Sequence, residues 1–135
     1  MHVEAGKITE FASALHDTNP AYRIFPGDRR ISAPPTFSVV AGLQNPGVGS
    51  PAAEAIALMA LDAPHVLNGG QEWRYLAPIV AGDLITGSTT VSAVDRRKNR
   101  QGRPMLLVTL ETVWMRADKE VMRETVTLIE MSVQV

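Results

Sequence analysis

Three histidines are the side chains of this sequence best suited to proton transfer near neutral pH and to metal binding. They are His2, His16 and His65, and the chain contains no cysteine. The histidine positions lack the paired spacing of metal ligands, so we expect no metal site. The lack of cysteine excludes thiol catalysis, zinc ribbons and disulfide frameworks. His65, next to Pro64 at the start of a predicted strand, is a candidate acid or base.

A cluster of basic residues is the sharpest charge asymmetry of the chain, which has 13 Lys and Arg against 14 Asp and Glu. Its members are Arg96, Arg97, Lys98, Arg100 and Arg103. Such a cluster either binds phosphate groups or an acidic protein surface, or forms the solvated tip of a hairpin. Because no aromatic residue is interleaved and the net charge is −1, nucleic-acid binding is not expected.

The elements that position these residues begin with a helix over about residues 4–15. Its apolar side chains recur at helical spacing, at Ile8, Phe11, Ala12 and Leu15. The run Asp17-Thr18-Asn19-Pro20 should end this helix, since the residue before a proline avoids helical backbone angles and Asp and Asn favour turns. Residues 20–33, with Pro26-Gly27-Asp28, read as an irregular loop.

A second helix is predicted to be buried. After Pro34-Pro35, which fit a first helical turn, about three turns of almost wholly apolar sequence follow until Asn45-Pro46-Gly47. A third helix is predicted with Ser50 as N-cap and Pro51 as its first residue, ending before Ala63-Pro64. A helix that is apolar on all sides must be covered by other elements.

The second half of the chain has the composition of strands. Four runs rich in Val, Thr, Leu, Ile or Trp cover residues 65–75, 84–95, 105–115 and 121–133. The breaks at residues 78–83, 96–104 and 117–119 suit antiparallel connections. Helices followed by strands predict an α+β fold, in which a long antiparallel sheet wraps around the short buried helix.

Five ordered motifs resemble the MaoC-like dehydratase family of (R)-specific enoyl-CoA hydratases, and more narrowly its N-terminal-type, FAS1-like dehydratase branch. They are Val3-Glu4-Ala5-Gly6-Lys7-Ile8 with Phe11-Ala12, Asp17-Thr18-Asn19-Pro20-Ala21-Tyr22, Ala33-Pro34-Pro35-Thr36-Phe37, Val66-Leu67-Asn68-Gly69-Gly70-Gln71-Glu72 and Pro78-Ile79-Val80-Ala81-Gly82-Asp83. The match spans nearly the whole chain. The resemblance implies a single hot-dog domain over residues 1–135.

The family interconverts trans-2-enoyl and (R)-3-hydroxyacyl thioesters of coenzyme A or acyl carrier protein. Adding or removing water needs a base, an acid and backbone N–H donors at the thioester oxygen. In catalytic members the pattern Gly-Asp-x-Asn-Pro-x-His supplies the acid–base pair. This chain keeps Asp17, Asn19 and Pro20 but has Tyr22 in place of the histidine, and a phenol of pKa about 10 cannot replace an imidazole near neutrality.

A second departure concerns the start of the buried helix. Catalytic relatives have a His-Gly pair there, whose glycine N–H lines the oxyanion hole, whereas this chain has Pro34, which has no N–H. The FAS1-like branch is often the non-catalytic half of a pair. The resemblance therefore predicts a substrate-binding, catalytically deficient subunit, paired as a homodimer or with a catalytic hot-dog subunit.

The resemblance also implies where an acyl thioester would bind. The substrate-binding candidates are Asn19, Pro34, Thr36, Asn68, Gly69 and Gln71, and the candidates for the phosphates of coenzyme A or a carrier protein are Arg96, Arg97, Lys98 and Arg100. Gly69 and Gly70 allow close approach of the backbone to a ligand or to the buried helix or, alternatively, form a β-bulge. No cofactor is expected beyond coenzyme A or acyl carrier protein as part of the substrate.

Alternatives remain for residues and for function. Asp17 is either the surviving half of an acid–base pair or a turn residue, and Tyr22 either contacts the thioester or is an ordinary buried aromatic. The chain could instead be a non-enzymatic homodimeric acyl-thioester binding module, or an enzyme using Asp17 with Tyr22 or His65.

Composition fits one compact domain. The chain has 135 residues, of which 45% are hydrophobic and 20% charged, enough to bury a core without disulfides or a structural metal. A signal-peptide pattern and a run of about 20 apolar residues are both missing, so the expected location is cytoplasmic, with no membrane partner.

Overall fold

The computed structural model describes residues 1–25, 31–41 and 51–131. The helices and strands are α1 (Ala5–Ala14), α2 (Pro51–Leu58), β1 (Val66–Tyr75), β2 (Ile85–Lys98), β3 (Pro104–Arg116) and β4 (Lys119–Met131). Short 3-10 helices occupy Pro20–Tyr22, Phe37–Val39 and Ala63–His65. The predicted turns at residues 26–28 and 45–47 and the predicted N-cap Ser50 lie outside the described residues.

The four strands form one antiparallel sheet in the order β1-β4-β3-β2. The predicted α+β class is confirmed. Strand β2 is longer than its sequence indicates, because Arg96, Arg97 and Lys98 pair with β3 rather than lying in the connection. A β-bulge between Val91 and Ala93 shifts the register within this hairpin. Ala117 takes the left-handed conformation, with φ of 53°, in the tight turn between β3 and β4.

One face of the sheet packs against the helices, and we call it the inner face. Two clusters of buried side chains lie on it. The first joins Ile8 of α1 and Phe37 to Trp114 and Met122 of the sheet. The second joins Ala55 of α2 and Leu61, which follows α2, to three residues of the sheet: Val108, Leu110 and Leu128. The clusters occupy opposite ends of β3 and β4, so the inner face has room for a cavity between them.

The central helix starts differently from its sequence prediction. The Phe37 N–H donates to the Pro34 carbonyl over 3.0 Å, and Phe37–Val39 is 3-10, before residues 40 and 41 become α-helical. Phe37 and Val40 are buried, but Val39 is 44% exposed. Within the described residues 37–41, the side of the helix at Val39 is therefore not covered. None of the helices in the described ranges is long and apolar enough to cross a lipid bilayer.

Candidate functional site

A cavity of about 260 Å³ lies between the central helix and the inner face of the sheet. Among the described residues, five elements contribute to its wall: the central helix, α2, β1, β3 and β4. The lining residues are Ser38, Val39, Ala41, Ala52, Asn68, Gln71, Leu110, Thr112, Trp114, Glu124, Val126 and Leu128. Val39 is exposed because it faces this space.

The cavity has a polar end around the carboxylate of Glu124, which is only 7% exposed. The indole N–H of Trp114 donates to Glu124 Oε2 over 3.0 Å, and the amide of Gln71 donates to Oε1. The neighbouring Thr112 hydroxyl is hydrogen-bonded to that of Thr89 over 2.8 Å. Each carboxylate oxygen thus has one protein donor, and no Lys or Arg of the described ranges forms an ion pair with it.

The other end of the cavity is aliphatic. On the inner face, Thr112 pairs with Glu124, Leu110 with Val126, and Val108 with Leu128. Successive inner-face pairs are about 7 Å apart along the strands. A ligand lying along the strands would meet the carboxylate at one end and hydrocarbon over the next two pairs.

Two tryptophans hold the wall of the cavity in place. Trp73 donates its indole N–H to the Ser38 hydroxyl over 2.9 Å, which ties β1 to the central helix. The ring of Trp114 lies over Gly87, where a Cβ atom would come within 2.9 Å of the ring. Glycine at this position lets the indole lie flat enough on the sheet to reach Glu124.

Tyr75, the last residue of β1, lies near Glu124 but is not part of the cavity wall. Its hydroxyl donates to the Pro35 carbonyl. Burial raises the pKa of Tyr75 to about 12, and the nearby Glu124 and Tyr22 add to the effect. The phenol therefore stays protonated near neutral pH and serves as a donor rather than a base.

Asp17 and Asn19 form two successive side-chain turns. Asp17 Oδ1 accepts the N–H of Asn19 over 2.9 Å, and Asn19 Oδ1 accepts the N–H of Ala21 over 3.0 Å. Arg23 donates to the Asp17 carbonyl over 2.9 Å. Tyr22 is half-buried and packs against the first core cluster. This geometry matches the turn alternative for Asp17, and neither Asp17 nor Tyr22 lines the cavity.

The structure brings together two of the six predicted substrate-binding residues, Asn68 and Gln71, in the cavity wall. The other four, Asn19, Pro34, Thr36 and Gly69, are not part of that wall. Gly69 lies in a β-bulge between Asn68 and Gly70, where a Cβ would come within 2.5 Å of Ile129. The structure therefore matches the β-bulge alternative for Gly69.

The basic cluster is divided between the two faces of the sheet. Arg96 pairs with Leu106 and Lys98 with Pro104, which are inner-face positions, whereas Arg97 pairs with Met105 on the outer face. Arg100 follows in the hairpin loop, outside the strands. The four predicted phosphate ligands therefore do not form one surface.

His65 lies far from Asp17. Its Nδ1 is 2.7 Å from Asp62 Oδ2, at the start of β1. Tyr22 and Trp73 both pack against the first core cluster, and Trp73 lies about 26 Å along β1 from His65. The structure therefore places His65 beside Asp62 and engages Asp17 in its own turn, and it does not bring the two together as an acid–base pair. The described ranges contain no cluster of His, Asp or Glu that could hold a metal ion.

Glu124 is the site residue that the sequence reasoning missed. It alternates with Met122, Val126 and Leu128 on one side of β4, and these apolar residues mark the inner face. A single carboxylate in a series of buried positions was the available signal, since such a group requires dedicated hydrogen-bond donors.

The family is shown by comparison with known proteins. The model of the FAS1-like dehydratase domain region matches residues 1–124. The chain belongs to this family. This FAS1-like dehydratase chain is similar to a UPF0336 protein of Thermobifida fusca, at 38% identity over 113 residues, covering 78% of the chain and 67% of the relative. A UPF0336 protein of Cutibacterium acnes is 37% identical over 100 residues, covering 72% of the chain and 63% of the relative.

Solved structures show the fold of this FAS1-like chain. It is similar to the ChsH1–ChsH2 complex of Mycobacterium tuberculosis, with a TM-score of 0.76 and 21% identity over 99% of this chain and 85% of that chain. The C-terminally truncated HadBC (3R-hydroxyacyl-ACP dehydratase) complex of the same organism gives a TM-score of 0.73 and 20% identity over 96% and 88%. The predicted hot-dog fold is confirmed. The chain spans about two thirds or less of the length of its UPF0336 relatives.

Proposed function

We propose that this chain is the substrate-binding subunit of an (R)-3-hydroxyacyl-thioester dehydratase, acting also as a trans-2-enoyl thioester hydratase in reverse. The observation that carries the proposal is a cavity against the central helix of a FAS1-like dehydratase fold, combined with Tyr22 at the histidine position. The cavity would hold the acyl chain. The acid and base for moving water would come from a catalytic hot-dog partner.

The residues around Asp17 support this division of labour. A general base must lie within hydrogen-bond reach of the water that it activates. Asp17 is engaged in its own turn and does not line the cavity, and Tyr75 is held protonated near neutral pH by its raised pKa. Pro34 has no N–H to offer to a thioester oxygen.

Strand β1 supports pairing with a second subunit. It pairs with β4 on one side, and no strand of the described ranges pairs with its other side. A free edge of ten residues exposes backbone donors and acceptors that a strand of another chain can satisfy. Two similar structures are complexes by their descriptions, ChsH1–ChsH2 and HadBC. Pairing along β1 would also place the cavity residues Asn68 and Gln71 near the subunit boundary.

The activity of the purified chain tests the proposal. Alone, it should not hydrate a short trans-2-enoyl-CoA above the uncatalysed rate. Mixed with a catalytic hot-dog subunit that keeps the family's Asp and His, it should give an active complex. In that complex Asp17→Asn should change kcat/KM by less than about twofold, whereas replacing the partner's pattern aspartate should lower it by about 10²–10⁴-fold. Hydration assays under steady-state conditions measure each rate.

Two outcomes would contradict this proposal. Hydration by the chain alone, abolished by Asp17→Asn, would make it an enzyme by itself. Binding of acyl-CoA without turnover beside any partner would favour the homodimeric binding module.

Arg96 and Lys98 are the proposed phosphate ligands, since they lie on the inner face beyond the aliphatic end of the cavity. Along the strand direction, Arg96 is about 7 Å and Lys98 about 14 Å from the Val108–Leu128 pair. Arg97 lies on the outer face near Asp95, at 3.7 Å. Arg96→Glu in the complex should raise the KM for a coenzyme A thioester about tenfold, because a charge-assisted hydrogen bond is lost. Arg97→Glu is the matched control. Equal effects of the two variants would show that only the overall charge matters.

A further inference from the structure

The polar end of the cavity is unsuited to a plain hydrocarbon chain. Burying a carboxylate is costly unless its hydrogen bonds are made, and Glu124 is buried with two N–H donors. A carboxylate accepts about four hydrogen bonds, so two lone pairs remain for water or a ligand. An alkyl chain placed there would displace water from these positions without replacing its hydrogen bonds, which lowers affinity.

The surrounding groups favour a ligand with one hydroxyl. The two hydroxyls in the described part of the cavity wall each have one protein partner, because Thr112 is bonded to Thr89 and Ser38 accepts from Trp73. Moving an ammonium group out of water costs more free energy than moving a neutral hydroxyl, and the pair with Glu124 would have to offset that cost. One O–H group needs a single acceptor, which Glu124 supplies.

The order of residues along the sheet indicates where that hydroxyl lies on the ligand. Leu110 with Val126 and then Leu128 follow the carboxylate along the inner face, a distance of about 13 Å from Glu124 to Leu128. The thioester carries a carrier too large for a cavity of about 260 Å³. The cavity therefore receives the acyl tail, with hydrocarbon against the aliphatic end and the hydroxyl beyond it.

We propose that the cavity selects acyl thioesters whose tail carries a hydroxyl group remote from the thioester, and that Glu124 accepts the hydrogen bond of this hydroxyl. This inference rests on the proposed function, since it assumes that an acyl thioester occupies the cavity. It adds a substrate class, the hydroxylated acyl chains, and a residue that determines specificity. Glu124 takes no part in moving water to or from the double bond.

Matched pairs of ligands test the inference. The probes are ω-hydroxyacyl-CoA thioesters of six, eight and ten carbons, each compared with its unsubstituted counterpart by calorimetric titration of the full chain with its hot-dog partner. At least one hydroxylated thioester should bind about tenfold or more tightly than its counterpart. Glu124→Met should remove that preference and leave the unsubstituted thioester bound at least as well as before.

Two controls separate specificity from folding. Glu124→Gln is the second variant, for the case in which Glu124→Met folds poorly. It keeps the size of the side chain and one acceptor oxygen, so it should retain part of the preference. Glu111→Gln removes a carboxylate from the outer face, where it pairs with Arg123 at 2.8 Å, and should leave the preference unchanged. Thermal unfolding of each variant monitors the fold.

The outcomes distinguish this inference from the proposed function. Equal binding of both ligands in every pair, or a preference that survives in Glu124→Met, would overturn the hydroxyl selection and leave the substrate-binding role intact. No binding of any acyl-CoA would overturn the proposed function, and the inference with it.

Discussion

Phe37→Ala is expected to lower the free energy of unfolding by about 3–5 kcal/mol. The Phe37 side chain is fully buried in the first core cluster, and its ring meets that of Phe11 edge to face, with centroids 5.7 Å apart. Truncation to Ala removes the packing of the central helix against both α1 and the sheet. Because domains of this size are stable by about 5–15 kcal/mol in total, the variant should be close to unfolded at physiological temperature.

Urea denaturation of the wild type and variant measures this loss. Phe25→Ala is the matched control, since Phe25 is 48% exposed and its truncation should cost less than about 1 kcal/mol. If both variants lost the same small amount, the central helix could not be anchored through Phe37.

Val126→Trp is expected to weaken acyl-CoA binding by about tenfold or more, which corresponds to 1.4 kcal/mol or above. Val126 lies on the inner face opposite Leu110, in the aliphatic part of the cavity wall. An indole at this position would fill the space that the acyl tail needs. Because the cavity can accept the added volume, the fold should tolerate the change better than overpacking of a closed core, which costs about 1–3 kcal/mol.

Thr127→Trp is the control for this substitution. Thr127 follows Val126 directly but pairs with Thr109 on the outer face of the sheet, so the same indole there should leave affinity unchanged. Titration with octanoyl-CoA measures both variants. Undiminished binding by Val126→Trp would place the acyl chain outside the cavity and contradict the substrate-binding role.

Local sequence patterns predicted the elements closely. The spacing of Ile8, Phe11 and Ala12 predicted α1, and four runs rich in Val, Thr, Leu, Ile or Trp predicted the four strands. These patterns can be recognised because a helix repeats every 3.6 residues and a strand every two. A buried face therefore places apolar residues at regular, short spacing in the sequence. The five motifs identified the family for the same reason, since they lie within single elements or turns.

The division of the basic cluster needed the strand register. From the sequence, five neighbouring basic residues are expected to form one surface in a loop. In the structure, pairing of β2 with β3 continues through Lys98, so the side chains of Arg96 and Arg97 lie on opposite faces of the sheet. Register depends on hydrogen bonds to a partner strand and on the bulge after Val91. Composition does not report either feature.

By itself, the sequence determined the class of fold, the strand-rich second half and the substitution of Tyr22 for the family histidine, because each is recorded in residue types at local spacing. Only the tertiary structure decided that Asp17 is engaged within its own turn. It also decided that Gln71 and Trp114 donate hydrogen bonds to the carboxylate of Glu124. The three come from different strands and meet through long-range pairing. A hydrogen-bonded site assembled from three strands depends on register and face together, and these are properties of the whole sheet.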